Sequence, residues 1–306
     1  METATAIFLA TLAAGTPLVF AALGELVAEK SGVLNLGVEG MMIAGAVLAF
    51  LVAAETGVLW LGVLAAVLAG AAMAALFAVV TLSFQANQVA AGLALTIFGI
   101  GASAYLGLDY TGVALKGIGP VDIPVLGELP VIGPLLFALD PLVYLSFVMF
   151  AAVVWFLYRT KAGLVLRGIG ESPASAHAIG YPVIGIRYLA VLFGGAMAGL
   201  GGAYLALAYT PLWVEAMTAG RGWIALALVV FGTWRPGRVM LGAYLFGGIT
   251  IVQFHVQAIG IDLPPQVLSM LPYLATIVVL VLISRHAGMI RINAPASLGM
   301  SYHPAA

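Results

Sequence analysis

The stretch GELVAEKSGVLNLGVEGMM, residues 24–42, carries Glu25, Glu29, Lys30, Asn35 and Glu39, with Gly24, Gly32, Gly37 and Gly40 between them. It sits between two apolar runs that would otherwise join almost directly. Ionisable groups inside membrane segments are costly and mostly functional. Asn35 and Glu39 are four residues apart, so on a helix they share a face and make one polar spot. One reading is a discontinuous helix whose loosened backbone, with Asn35 and Glu39, lines a translocation path. The other is a plain turn, with Glu29 and Lys30 solvated and Glu39 favourably placed near the N-terminus of the next helix. Spacing alone leaves both open and names no substrate.

A second polar stretch, RTKAGLVLRGIGESPASAHAIGYPVIGIR, runs from Arg159 to Arg187 and holds four of the eleven basic residues. Ser172 followed by Pro173 is a helix start, because serine caps free amides and proline suits the first helical position. Ala174, Ser175, Ala176, His177, Ala178 and Ile179 continue the helix. Gly180 ends it and Pro182 blocks extension. About two turns of helix do not stand alone in water. The small side chains would let this one seat deeply in a groove of a partner. Resting on lipid is the alternative, but the helix lacks the large apolar and basic faces of an interfacial helix.

The remaining polar positions say less. Glu215 and Arg221 read either as a pair at an outer mouth or as part of an external turn with interfacial Trp213 and Trp223. Gln85, Asn87 and Gln88 read as an uncharged turn. Gln253, His255 and Gln257 fall within an apolar run, where His255 reads first as a packing residue and only second as a proton relay. The sequence contains no G-x-x-x-x-G-K-[ST], H-E-x-x-H or G-x-S-x-G. GIGASA at 99–104 lies in an apolar helix without the preceding strand that a dinucleotide fingerprint needs. There is no cysteine, which excludes disulfides, iron–sulfur clusters and thiol catalysis. No catalytic residue, cofactor or metal is predicted.

These residues must be positioned by membrane helices. The chain of 306 residues is 63% hydrophobic and 8% charged, against roughly 25% charged in soluble domains. Net charge is −1, which gives no indication of nucleic acid. The opening METATAIFLATLAAG lacks a basic n-region and reads as the start of a first membrane helix. About 20 apolar residues cross a bilayer. Polar and Gly/Pro breaks divide the chain into runs at 5–28, 36–54, 58–82, 87–107, 141–158, 187–209, 222–233, 239–258 and 267–284. The expected fold is an all-α polytopic membrane protein of about nine transmembrane helices, within a range of eight to ten. It forms one domain over 1–306. The seventh run is too short to span and joins PLWVEAMTAGRG in a broken or re-entrant element. In FGGAMAGLGGAYLALA, Gly195 with Gly199 and Ala198 with Gly202 recur at four, a spacing for close helix packing.

Placing the 159–187 loop in the cytoplasm puts Lys30, Arg159, Lys161, Arg167, Arg187, Arg235, Arg238, Arg285 and Arg291 inside. Only Lys116 and Arg221 then lie outside. The positive-inside rule thus predicts an outside N-terminus and an inside C-terminus. It also makes 108–140 an external loop, in which Asp109, Asp122, Glu128 and Asp140 accompany several prolines.

GELVAEKSGVLNLGVEGMMIAGAVLAF, GLVLRGIGESPASAHAIGYPVIGIR and GRGWIALALVVFGTWRPGRVMLGAYLFGG resemble three segments of bacterial ABC-importer permeases. The broad family serves branched-chain amino acids, ribose and other simple sugars. The SGVLNLGVEGMM form is most similar to the permeases of purine-nucleoside importers that work with basic-membrane-protein-type lipoproteins. The resemblance covers about 20–290. It implies a multi-pass subunit of the bacterial inner membrane that transports without chemistry of its own. It implies a separate ATP-binding subunit, a second homologous permease chain and an extracytoplasmic substrate-binding protein or lipoprotein. The break at 31–40 would lie beside the substrate pathway, with Asn35 and Glu39 nearest the substrate and Gly37 and Gly40 beside them. Glu171, Ser172, Pro173, Ala174, Ser175, Ala176, His177 and Gly180 would form the coupling segment on the ATPase. A self-sufficient ion-coupled transporter is the competing class and would need Glu39 or His255 as its coupling site. An intramembrane enzyme would need a catalytic pair on facing helices, and none is compelling.

Overall fold

The computed structural model describes residues 2–121, 137–258 and 293–303, with isolated positions between 267 and 281. The expected run at 267–284 lies largely outside the described residues, as do Asp122, Glu128, Arg285 and Arg291. The chain is all-α, and the described residues contain no strand, only one isolated bridge between Ala114 and Leu212. Ten helices are numbered here in chain order. They are α1 (Glu2–Lys30), α2 (Val38–Thr56), α3 (Leu59–Ala78), α4 (Gln88–Leu106), α5 (Pro141–Arg159), α6 (Lys161–Glu171), α7 (Pro173–Ala178), α8 (Val183–Tyr204), α9 (Arg221–Phe231) and α10 (Pro236–Ala258). Among the described residues, seven are long and apolar enough to cross a membrane: α1, α2, α3, α4, α5, α8 and α10. The short seventh run forms the eleven-residue α9, preceded by the turns of 211–220.

The centre of the bundle is a contact of α8 with α1, α2 and α3. Small residues decide it. A Cβ on Gly70 would stand 2.0 Å from the Gly195 carbonyl, one on Gly199 2.1 Å from the Ala66 carbonyl, and one on Gly202 2.0 Å from the Met42 carbonyl. Backbone therefore touches backbone, which is how helices associate where lipid supplies no hydrophobic drive. The spacing of four read from Gly195 with Gly199 and from Ala198 with Gly202 lies in this seam.

Helix ends follow local chemistry. Asn87 accepts from Ala90 N at 3.0 Å, Thr160 from Gly163 N at 3.0 Å, and Asp140 from Leu142 N and Val143 N at 3.0 Å each. All are N-caps. α3 and α8 each end in a π turn, Val79–Ser83 and Leu205–Tyr209. α6 arises within the polar stretch where only α7 is expected. The Thr160 cap starts it, and Leu166 and Ile169, three apart, give it a buried side. Trp213, expected at the membrane interface, is instead buried at 1% exposure, with Gly107 lying directly against its indole.

Candidate substrate pathway and coupling segment

The break between α1 and α2 is an ordered turn. α1 closes with Gly32 N donating to Glu29 O at 2.8 Å and Val33 N to Ala28 O at 3.3 Å. Gly32 sits at φ +91°. This is the Schellman arrangement, whose left-handed position favours glycine. The next residues are held by side chains from both neighbours. Asn35 N donates to Glu25 Oε1 at 3.0 Å, and Leu34 N donates to Gln88 Oε1 at 2.8 Å. Thr96 Oγ1 donates to Leu36 O at 3.1 Å. The Asn35 side chain folds onto its own turn, accepting from Gly37 N at 2.9 Å and donating to Met41 Sδ at 3.4 Å.

Gly40 lets α4 approach, since a Cβ there would stand 2.7 Å from the Leu95 carbonyl. A Cβ on Gly37 would meet the Asn35 Oδ1 at 2.9 Å. Asn35, Gly37, Glu39 and Gly40 are thus brought together, and all four are buried within this chain.

Glu39 lies in the first turn of α2, but its carboxylate belongs equally to α9. Oε1 accepts from Thr218 Oγ1 at 2.6 Å and from Gly220 N at 2.9 Å, while Oε2 accepts from Gly222 N at 2.6 Å. A carboxylate thus satisfies orphan amides where α9 begins and faces the positive end of its dipole. The side chain is 4% exposed. Gly222 is required for the approach, because a Cβ there would fall 2.5 Å from both Glu39 Cα and N. The short helix is therefore anchored to α2 by one side chain.

Glu25 and Glu29 share a face of α1 and are fully buried, while Lys30 is 8% exposed. The alternative in which Glu29 and Lys30 are solvated does not hold: both are buried, with Trp234 meeting Glu29 and residue 293 meeting Lys30. Trp234 Nε1 donates to Glu29 Oε2, from a turn in which Thr233 and Trp234 hold φ of +50° and +52°. Such a backbone is strained for a β-branched residue. Glu25 Oε2, Glu29 Oε1 and Gln88 Nε2 have no hydrogen-bond partner among the described residues. Lys30 Nζ donates to Asn293 O at 2.7 Å.

The helix predicted inside the 159–187 stretch is α7. Ser172 accepts from Ser175 N at 3.2 Å, and Pro173 occupies the first position. Gly180, at φ +92°, closes it, with Tyr181 N donating to Ala176 O at 3.1 Å. Of the expected coupling residues, Glu171, Ala174, Ser175, His177 and Gly180 are exposed, Ser172 and Pro173 are half-buried, and Ala176 turns inward. Ala176 packs with Ile169 and Val183 against Tyr302.

Arg187, read from sequence only as a loop charge, is 1% exposed. Its Nε donates to Ser31 O at 3.0 Å and its Nη2 to Ser297 Oγ at 3.0 Å. It links the foot of α8 to the break and to the 293–303 segment.

The family described as "Branched-chain amino acid transport system / permease component" matches residues 7–282. The chain belongs to this family. It is 40% identical over 99% of its length, and 99% of the relative's, to a Haloferax volcanii permease protein named for glucose ABC transport. It is 32% identical to a guanosine ABC transporter permease protein of Bacillus subtilis, covering 96% of this chain and 95% of the relative. It is 31% identical to a nucleoside ABC transporter permease protein of Lactococcus lactis, covering 94% and 93%. A permease component of this family is a transport subunit and not itself an enzyme.

Within this permease two groups of residues were not legible in sequence. One is the set of α9 donors to Glu39, some 180 positions away. The other is the 293–303 segment on Arg187. GRGW is the only local signal for the first, with Gly220 and Gly222 flanking Arg221. Nothing local marks the second. His255, the relay candidate, is exposed. An apolar cavity of about 750 Å³ lies between α1, α5, α6 and α8, lined by Val27, Trp155, Phe156, Val165 and Phe193 with Lys161 among them. None of the residues of the break lines it.

Proposed function

We propose that this chain is the membrane-spanning permease subunit of an ATP-driven nucleoside importer. It would work with a separate ATPase, a second homologous permease and an extracytoplasmic binding protein or lipoprotein. The observation that carries the reading is α7, a capped helix at the end of the bundle that presents Ala174, Ser175, Ala178 and Ile179 outward. Ile179 is 74% exposed. A short helix with a small-residue face fits a groove on an ATPase, and the neighbouring basic residues support a cytoplasmic side for this end. In this reading the N-terminus is outside, 108–140 is an external loop, and the subunit resides in the cytoplasmic membrane as one domain over 1–306. Asn35 and Glu39, with Gly37 and Gly40, set the wall of the pathway. Their polar atoms are engaged by their own chain, so they position the break and α9 rather than bind substrate directly.

Two relatives named for guanosine and nucleoside transport support the substrate class. The relative at 40% identity, named for glucose, supports a second reading in which a simple sugar is carried. Uptake of labelled guanosine and glucose into proteoliposomes holding the whole transporter separates them. Guanosine uptake that excess glucose does not compete supports the first reading, and the converse supports the second. For coupling, Ala178→Arg should abolish ATPase co-purification and ATP-driven uptake while the subunit still inserts. Normal uptake by that variant would count against α7 as the docking helix.

A further inference from the structure

The segment 293–303 touches both functional parts of the subunit. Ser297 binds the end of α6, immediately before α7, through Ser297 N to Gly170 O at 2.9 Å and Ser297 Oγ to Gly170 O at 2.7 Å. The same hydroxyl accepts from Arg187 Nη2 at 3.0 Å. A serine hydroxyl has one donor and two acceptor sites, so both bonds are compatible. Tyr302 lies beneath α7, packed with Ile169, Ala176 and Val183, with its ring centroid 6.2 Å from that of His177 and 6.0 Å from the Arg187 guanidinium carbon. On the other side the segment holds the break. Gly299 N donates to Gly32 O at 3.1 Å, Lys30 Nζ donates to Asn293 O at 2.7 Å, and Arg187 reaches Ser31 O at 3.0 Å. The ends of α6 and α1 also meet directly, since a Cβ on Gly170 would stand 2.2 Å from Lys30 O.

We propose that residues 293–303 are a strap that makes α6, α7 and the 31–37 break one mechanical body, so that displacement of the docking helix reaches the pathway. This rests on the permease reading above. Coupling through a subunit needs a chain of packed or hydrogen-bonded groups that both ends bias. Here the chain is α7, Tyr302, Ser297, Arg187 and Ser31. Arg187, Ser297 and Tyr302 are positioning residues that act through the break and touch no substrate.

The test uses the complete transporter in proteoliposomes, with ATP hydrolysis and uptake measured together. Ser297→Ala removes the hydroxyl bonds to Gly170 O and Arg187 but keeps the backbone bond to Gly170 O, and Tyr302→Ala removes the seat of α7. In both, ATPase co-purification and hydrolysis should stay within about twofold of native, while uptake per ATP falls about tenfold, equivalent to about 1.4 kcal/mol. A merely structural role would lower hydrolysis and uptake in proportion through lost assembly, and that result overturns the proposal. Native uptake per ATP in both variants overturns it as well. The chain has no cysteine, so a second arm is available. A Cβ on Gly299 would stand 4.0 Å from Leu34 Cβ, within disulfide reach. Gly299 lies at φ +74°, so the reduced Gly299→Cys/Leu34→Cys variant serves as the reference for strain. Oxidation should leave its uptake unchanged, because strap and break move together. Uptake lost on oxidation and restored by reductant would show that they slide apart, and would overturn the proposal. Failure of the docking reading looks different: Ala178→Arg would then still bind the ATPase and import.

Discussion

Replacing Glu39 tests whether one side chain holds the broken helix in place. Its carboxylate accepts from Thr218 Oγ1, Gly220 N and Gly222 N at 2.6, 2.9 and 2.6 Å, and it is 4% exposed. A hydrogen bond to a charged group contributes about 1.5–3 kcal/mol, and each donor left buried without a partner costs about 1–3 kcal/mol. Glu39→Ala removes all three bonds, so even the low end gives a loss of about 4 kcal/mol from the local stability of 218–222. At about 1.4 kcal/mol per decade, that opens the start of α9 about a thousandfold more often. Glu39→Gln keeps one acceptor oxygen but turns an amide NH2 toward a donor. Its loss is about 2 kcal/mol, and the opening rises about thirtyfold.

Hydrogen–deuterium exchange mass spectrometry on peptides spanning 211–224 reads this directly. Protection of Gly220 and Gly222 should fall in the order native, Glu39→Gln, Glu39→Ala. Peptides from the α3–α8 seam should not change. Unchanged protection in Glu39→Ala would refute the cap. Equal loss across the whole bundle would refute its locality.

Three further outcomes are expected. Gly70→Ala places a methyl 2.0 Å from the Gly195 carbonyl. Backbone must move, so the melting temperature in detergent should drop by the equivalent of about 3 kcal/mol; an unchanged melt refutes the seam. Trp234→Phe removes the donor to Glu29 Oε2 and leaves both carboxyl oxygens unpartnered. It should cost about 1–3 kcal/mol, and Glu29→Met added to it should recover part of the loss; no recovery in the double variant speaks against the pair. For Asp140, burial raises the carboxyl above its usual range, against lowering hydrogen bonds from Val143 N, Leu142 N and the Tyr204 hydroxyl. The folded chain then holds this proton to higher pH than the unfolded chain does. The stability it contributes is complete below the unfolded value and is lost as pH rises through the folded one. Asp140→Asn keeps a capping oxygen, so its melting temperature should gain on that of the native chain as pH rises through that window; a constant difference refutes the assignment.

The parts legible in sequence are those set by local chemistry. Apolar runs gave spans because a helix must satisfy its own backbone in lipid. Ser172, Pro173 and Gly180 gave α7 because caps act within one turn. The short seventh run marked α9 because length alone barred it from spanning. Glu39 was readable as a group near a helix N-terminus, but α9, the second helix it serves, was not. Its donors at Thr218, Gly220 and Gly222 are brought to it only by the packing of α9 on α2. Arg187 and Ser297 are likewise 110 positions apart. A solvated turn is one of the two readings of Glu29 and Lys30 because polarity in a turn normally means water. Here the cover comes from Trp234 and residue 293, which no local pattern connects to them. Periodicity reports which face is buried and is silent about what buries it.

These contacts bear on how the break can move. A discontinuous helix invites the idea of a flexible hinge, yet residues 31–37 are held from several sides. Glu25 binds Asn35 N, Gln88 binds Leu34 N, Thr96 binds Leu36 O, and Arg187 binds Ser31 O. Bending inside the turn would break several buried hydrogen bonds at once, each leaving an unpaired group at a cost of about 1–3 kcal/mol. Displacing the turn together with the foot of α1, α4 and the foot of α8 breaks none of them. The favoured motion is therefore rocking of packed groups, as in alternating access by rigid bodies. What must yield lies at their edges, where turns already hold positive φ: Ala216, Ala219 and Gly220 before α9, and Thr233 and Trp234 after it. α9 is thus flanked by turns at both ends and fixed to α2 by Glu39.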